Sequence, residues 1–388
     1  MPDRCTLYVH FPYCVTRCSY CDFNTYVVED VPVERYARAV LREGDARAPA
    51  YGAWPLASIY FGGGTPSLWG ARAVGAVIEA AARWFPERDA LEVTLECNPG
   101  EATPELLAAY RAAGVNRLSL GVQSLDDAIL RAIDRRHDAD RALAALRDAL
   151  AAGFDSVSAD LMFGLPGQTM ARWTQDLVTL AETGVPHLSV YHLTLEPGTA
   201  MTREVQAGRV VLPDEDLQAD MWDALEPTLS PYGLQAYEVS NFAWPGHESR
   251  HNTSYWLGRP YLGLGAGAHS LLVPGDFSAP GAAAERTSNR RHHSAYVSEI
   301  EERGTAVAER EPIDRELHLR ERLFTGLRLK EGIALDALQR DVGLDPLAEH
   351  GAVIRKLIDE GLVTLREERL ALTERGLRYA NDVFLRFF

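Results

Sequence analysis

Three of the chain's five cysteines fall within eight positions, "CVTRCSYC" at residues 14–21, in the pattern C-x₃-C-x₂-C. Thiolates so spaced on one short loop point to a metal. A structural zinc site asks for a fourth thiolate or imidazole, and His10, the nearby imidazole, lies inside a strand-like run. Disulfides are disfavoured by the odd cysteine count. Three thiolates on a tight loop suit a [4Fe–4S] cluster that keeps one iron open to an external ligand. Zinc at Cys14, Cys18 and Cys21 is the alternative. Cys5 and Cys97 read as small buried residues rather than ligands.

The elements that must position this loop are legible from periodicity. Six strand-like runs, beginning at "TLYVHFP", "LASIYFGGG", "LEVTLECNP", "RLSLGVQS", "SVSADLMFGLP" and "HLSVYHLTLEP", alternate with helical stretches. In one of these, "DADRALAALRDALAAG", Leu143, Leu146 and Leu150 recur at helical spacing and Gly153 ends the run. Such alternation predicts parallel β/α units, in a barrel or an open doubly wound sheet. The strands also have one apolar and one polar face: Leu118, Leu120 and Val122 oppose Ser119, Gly121 and Gln123. Val157, Ala159 and Leu161 likewise oppose Ser156, Ser158 and Asp160, and Glu96 ends the polar side of "LEVTLE". A closed barrel with a packed centre would be apolar on both faces. The pattern therefore predicts a splayed barrel with a wet cavity, and places Glu96, Gln123 and Asp160 at strand ends that face it. "GGGTP" at residues 62–66 follows the second strand, where glycines let backbone amides approach a ligand.

Beyond residue 200 the pattern loosens. We expect three units: 1–200 as the barrel, 201–310 as an α+β extension, and 311–388 as a small domain of three helices and a hairpin that resembles a winged helix. "SAPGAAAERTSNRRHHS", residues 278–294, reads as a loop. The last unit carries 13 Lys and Arg against 15 Asp and Glu, a net of −2. It has no surplus charge for a phosphate-binding face, which argues against nucleic acid. The whole chain of 388 residues is also acidic, at −16, which disfavours nucleic-acid and anionic-membrane surfaces alike. No apolar run reaches the ~20 residues of a membrane helix, and no signal-peptide pattern opens the chain. These features predict a cytoplasmic protein.

With "YVHFPYCVTRCSYCDF", "FGGGTPS", "ECNPG", "GVQS", "DLMFGLPGQT", "YEVSNFA" and "RHNTSYW" in order, the chain resembles the oxygen-independent coproporphyrinogen III oxidase family of radical S-adenosylmethionine (SAM) proteins over nearly its whole length. Within it, the resemblance is to the HemW-type heme chaperones. It implies that Cys14, Cys18 and Cys21 hold a [4Fe–4S] cluster and that SAM takes the open iron. Tyr8 would flank both, Gly63, Gly64 and Thr65 would line the methionine end of SAM, and Glu96 its ribose or amino group. Gln123, Arg135 and Asp160 match positions that hold a second SAM or shape the substrate side in the dehydrogenase. There the motif runs on to a fourth cysteine that contacts the second SAM. Phe23 stands at that position, which puts the second SAM and the decarboxylation in doubt. Cys14 lies thirteen residues from the start, so the longer N-terminal extension of the dehydrogenase is expected to be missing.

The resemblance further implies a heme site at "HNTSYW": His251 as axial ligand, with Asn252, Tyr255 and Trp256 beside it. His192, His247 and His269 are rival ligands. The expected function is heme binding and transfer to an apo-hemoprotein client. That client is expected at the membrane, with any membrane contact peripheral and through a partner; a homodimer is compatible with the resemblance. The alternative is the dehydrogenase that makes protoporphyrinogen IX, which Phe23 disfavours. A nucleic-acid-binding regulator, the third reading, fails on charge.

Overall fold

The computed structural model describes residues 4–88, 90–274, 277 and 282–388. All six expected strands are present: β1 (Cys5–Phe11), β2 (Leu56–Gly63), β3 (Glu92–Cys97), β4 (Arg117–Gln123), β5 (Ser156–Phe163) and β6 (His187–His192). They pair in parallel, each with the next, which requires a crossover connection between each pair. The crossover helices are α1 (Val33–Arg47), α2 (Ala71–Trp84), α3 (Pro104–Ala112), α4 (Ala139–Ala151) and α5 (Met170–Glu182). Side-chain caps start three of them: Thr103, Asp138 and Thr169 each accept from the backbone N–H three residues on. Helix α4 ends before Gly153, which has a φ of +79°. Its buried stripe is Ala142, Ala145, Leu146 and Ala149, with Leu143 and Leu150 at the margins. Alanines there bring the helix close to the sheet.

The sheet does not stop at six strands. The edge at β6 continues antiparallel through β8 (Asn241–Ala243) to β7 (Gln235–Ala236). The edge at β1 pairs in parallel with β9 (Tyr261–Leu264), then antiparallel with β10 (His269–Leu272), β11 (Ala284–Asn289) and β12 (Val307–Ile313). The result is one twelve-stranded sheet in the order β12-β11-β10-β9-β1-β2-β3-β4-β5-β6-β8-β7. Residues 235–313 thus extend the barrel sheet at both ends rather than folding apart from it. The stretch expected as a loop is corrected at 284–289: Arg286, Thr287 and Ser288 pair on both sides. Its alternation of short polar residues suits a half-exposed strand, a signal hidden by the lack of apolar residues. Residues 278–281 of that stretch lie outside the described residues.

Helices α6 (Arg250–Trp256) and α7 (His293–Arg303) flank these added strands, and α8 (Arg315–Gly326), α9 (Leu335–Val342) and α10 (Pro346–Asp359) follow. Strands β13 (Ile333–Ala334), β14 (Val363–Arg366) and β15 (Arg369–Leu372) form a separate three-stranded sheet. This is the helix-helix-helix-hairpin order of a winged helix. The hairpin turns on Glu367 and Glu368, both at positive φ, the two-residue primed turn that matches strand twist. No helix among the described residues is long and apolar enough to cross a membrane.

One buried ion pair ties the extension to the barrel. Glu43 on α1 is fully buried and pairs with Arg47 at 2.7 Å. It also accepts from the Gly265 N–H at 2.9 Å, Tyr296 Oη at 2.7 Å and Asn289 Nδ2 at 2.6 Å. Arg47 in turn donates to Ser270 Oγ and Thr287 Oγ1. Removing one partner of such a pair leaves a buried charge unpaired. Glu43→Ala is therefore expected to lower unfolding free energy by about 3–5 kcal/mol; a loss within error of a surface substitution in denaturant unfolding would refute the role.

Candidate metal and cofactor site

The loop 12–26 leaves β1 and is held across the barrel mouth. Gly64 N–H donates to Phe11 O at 2.8 Å and Thr65 N–H to Tyr13 O at 2.9 Å, so the turn after β2 fixes the start of the loop. Arg17 donates to Cys21 O at 3.1 Å and clamps its far end. Cys14 is buried and Cys18 and Cys21 are half-buried. All three line a cavity of about 390 Å³ at the C-terminal ends of the strands, with Gly63, Gly64, Thr65, Glu96, Gln123, Arg135 and Asp160 in the same wall.

Two of the sulfurs are joined by a continuous hydrogen-bonded path. Arg135 Nη1 donates to Cys18 Sγ at 3.6 Å, and its Nη2 donates to Asn98 Oδ1 at 2.8 Å. Asn98 Nδ2 donates to Thr65 Oγ1 at 3.2 Å, and Thr65 donates to Cys14 Sγ at 3.6 Å. Every bond in the path points its proton away from the guanidinium. Donors aimed at thiolate sulfur are how proteins tune iron–sulfur centres. A Cβ on Gly64 would stand 3.0 Å from Cys14 Sγ and 2.6 Å from Tyr13 O, and Gly63 has a φ of +117°. Both glycines are therefore required for the turn to approach the sulfur loop. Burial pushes the Cys14 thiol up to about 11 and raises Cys21 as well. Three thiols, sulfur-directed donors and a turn that only glycine can make fit a [4Fe–4S] cluster.

Two carboxyls face the same space. Glu96 is fixed by Tyr60 Oη at 2.9 Å and by the Gly63 N–H at 3.1 Å. Burial, with a smaller push from Asp160, raises it to about 7. Asp160 accepts from Ser119 Oγ at 3.0 Å, and burial raises it to about 6. Gln123 reaches the cavity from a positive φ of 67°, where the β4–β5 register shifts. A strained residue at a strand end is characteristic of a binding wall.

Tyr8 lies one layer beneath this wall: its ring is 6.2 Å from Tyr60 and its hydroxyl pairs with His10 Nδ1 at 3.0 Å. The other nitrogen of His10 meets Asn24 O at 3.0 Å, which leaves no lone pair for a metal. Cys5 is buried away from the site, whereas Cys97 lines the cavity with its thiol turned to Asn98 O. Phe23, 62% exposed, stands at the cavity mouth.

The expected heme motif lies on helix α6. His251 is 1% exposed. Its Nδ1 pairs with Ser58 Oγ at 2.9 Å and its Nε2 with Tyr255 Oη at 3.1 Å, and its ring stacks on Tyr60 at 4.9 Å. Tyr255 packs edge-on to Tyr261, Trp256 carries the Arg328 guanidinium over its ring, and the Asn252 N–H is capped by Ser249. These residues pack at the N-terminal end of the barrel, with His251 buried and Asn252, Tyr255 and Trp256 half-buried. Of the rivals, His192 lines the cavity with Nε2 held by Gln218, His247 sits at the barrel floor against Ser156, and His269 is exposed at the start of β10. Asn98 and Tyr60 were not singled out by sequence. Tyr60 is in phase with Ser58 and Gly62 on the inner face, and Asn98 follows Glu96 by two, so both were findable by extending the alternation.

The radical SAM superfamily model matches residues 8–179 and the HemN C-terminal domain model residues 313–379. The chain is 38% identical over 386 residues to the bovine (Bos taurus) "radical S-adenosyl methionine domain-containing protein 1, mitochondrial", covering 99% of this chain and 87% of that one. It is 33% identical over 378 residues to the heme chaperone HemW of Bacillus subtilis, covering 97% of each. Its structure is similar to that of coproporphyrinogen III oxidase (HemN) from Escherichia coli, a radical SAM enzyme, with a TM-score of 0.82, 25% identity, and coverage of 100% of this chain and 91% of that chain.

Two outcomes follow from this geometry. Arg135→Leu removes both a sulfur-directed donor and a positive charge, so the reconstituted cluster should be harder to reduce. A redox titration followed by electron paramagnetic resonance should give a more negative potential; an unchanged one would mean that Arg135 only packs. A carboxyl whose pKa rises on folding adds stability at low pH and loses it as pH climbs, here from 3.8 towards about 6 for Asp160. Asp160→Asn should therefore gain up to about 3 kcal/mol over wild type between pH 4 and pH 8 in denaturant unfolding. A pH-independent difference would refute the burial account.

Proposed function

We propose that this chain, which belongs to the HemW-type branch of the radical SAM superfamily, binds heme and transfers it to apo-hemoproteins. Membership of that superfamily implies a [4Fe–4S] cluster and SAM. Cys14, Cys18 and Cys21 would hold the cluster; Gly63, Gly64, Thr65 and Glu96 would receive SAM. Gln123, Arg135 and Asp160 would shape the far wall. Bound together, these groups supply reductive cleavage of the SAM sulfonium. Around them the chain's own residues do simpler work. Tyr60 and the Gly63 N–H orient Glu96, whose pKa of about 7 lets it pass between neutral and charged forms near physiological pH. Ser119 orients Asp160, and the Arg135–Asn98–Thr65 path fixes the sulfur loop.

The observation that carries the chaperone reading over the oxidase is Phe23. It stands exposed at the mouth, in the sequence position where the resembling dehydrogenase has a cysteine. An aromatic ring there cannot act as a thiol and offers an apolar surface to a porphyrin. The relatives called heme chaperone HemW span nearly the whole chain, which supports the same reading. Five free cysteines fit a cytoplasmic setting, and a client at the membrane would be met there by a soluble donor.

Anaerobic reconstitution of the cluster, then titration with heme while following the Soret band, should show saturation near one heme per chain. The same preparation given coproporphyrinogen III, SAM and a reductant should form no protoporphyrinogen IX. Product formation without saturable heme binding would sink the proposal.

A further inference from the structure

A second cavity, of about 660 Å³, lies between the residues that follow α6 and the helices α8 and α9. Residues 257–260 contribute to its wall, as do His318 and Arg322 of α8 and Leu338 of α9. Among the described residues, none assigned above to the cluster, SAM or heme lines it. A volume of this order is that of small-molecule sites, which run from about 300 to 1,000 Å³.

Two polar atoms in this wall are buried without a partner. His318 is 2% exposed, and its Nδ1 has no hydrogen-bonding neighbour. The same holds for Arg322 Nε. The two residues stand four apart on α8 and so share a face. Arg322 is held in place twice: its Nη2 donates to Asp341 Oδ2 at 3.2 Å, and its side chain lies on Gly258, where a Cβ would stand 2.6 Å from Nε. Gly258 has a φ of +60°. A fixed, buried N–H without an acceptor calls for a ligand or an ordered water.

The ligand chemistry can be narrowed. Four arginines, Arg259, Arg322, Arg340 and Arg369, line the cavity against two acids, Glu331 and Asp341, within a chain of net −16. That local excess repels cations. Arg340 is engaged by Asp336 and Arg369 by the Gly332 carbonyl, so both supply field rather than contacts. The two acids in turn oppose a dianion such as phosphate. Burial, with Arg322 and Arg286 nearby, lowers the His318 imidazole to about 3. It therefore stays neutral and donates through the tautomer that carries its proton on Nδ1. Leu257, Val273, Ile333 and Leu338 add apolar wall that a bare ion would leave wet. We propose that this cavity binds a monoanionic organic carboxylate with an apolar body, its two oxygens accepting from Arg322 Nε and His318 Nδ1. The assignment is independent of the heme-chaperone reading.

The test uses the full chain with its cluster reconstituted, octanoate as probe and isothermal titration calorimetry as readout. Octanoate should bind saturably at one site, about tenfold or more tighter than 1-octanol, which lacks the charge. Arg322→Lys keeps the positive charge and loses the Nε–H; His318→Phe keeps the ring and loses Nδ1. Each should weaken octanoate binding by about tenfold and leave that of octanol unchanged. Ala337→Phe fills the cavity from its half-exposed wall and keeps both donors, so it should abolish octanoate binding even where circular dichroism shows the first two variants misfolded. Equal affinity for octanoate and octanol would overturn the assignment, as would wild-type octanoate affinity in folded Arg322→Lys and His318→Phe. No saturable octanoate binding by the parent would also overturn it, leaving water at the two nitrogens.

Discussion

The path from Cys14 through Thr65, Asn98 and Arg135 to Cys18 is the constraint on which the site depends. Its members come from four separate connections, after β1, β2, β3 and β4. They can meet only because adjacent parallel strands hold a fixed register, with Phe61 beside Leu95 and Cys97 beside Leu120. A one-residue slip in any strand would turn its polar face outward and break the path at once. Consistent donor direction also lets each bond polarise the next. The guanidinium charge is thereby felt at Cys14, which Arg135 does not touch.

The same alternation that builds this path creates a burden elsewhere. A barrel interior lined by Glu96, Asp160 and Ser119 gives up the apolar centre that a closed barrel would have. Its outer face compensates: Val93, Leu95, Leu118, Leu120, Val157 and Leu161 are all at most 2% exposed beneath the helices. The open sheet also leaves two edges to satisfy. Added strands cover both, antiparallel at β6 and parallel at β1, and on the β1 side the Glu43–Arg47 pair joins α1 to β9, β10 and β11. Stability is thus drawn from the outside of the barrel and from its extensions, leaving the inside polar and shaped for ligands.

Much of this was legible in the chain because it rests on local periodicity. The six strands, the cysteine loop and the convergence of Glu96, Gln123 and Asp160 follow from alternation and spacing alone. What escaped is long-range or conformational. Arg135 reads as an ordinary helix-end charge until the loop after β4 folds it against Cys18. The strand 284–289 lacks apolar residues because it is only half covered. The β14–β15 turn uses Glu367 and Glu368 at positive φ, where Asn-Gly would have announced it.

The "HNTSYW" helix shows what position in the fold adds to residue type. A histidine among aromatics reads as a metal ligand or as packing, and the strand ends say where in the barrel it acts. In β/α barrels the C-terminal ends bear the chemistry and the N-terminal ends bear stability. Helix α6 sits at the N-terminal ends, where Glu92 at the start of β3 accepts from the backbone of both Arg250 and His251. From there His251 still acts on the cavity at one remove. Its ring stacks under Tyr60, and Tyr60 holds Glu96. The motif therefore sets the height and orientation of a cavity carboxyl from below, a role that requires the histidine to be buried, neutral and bonded at both nitrogens, as it is.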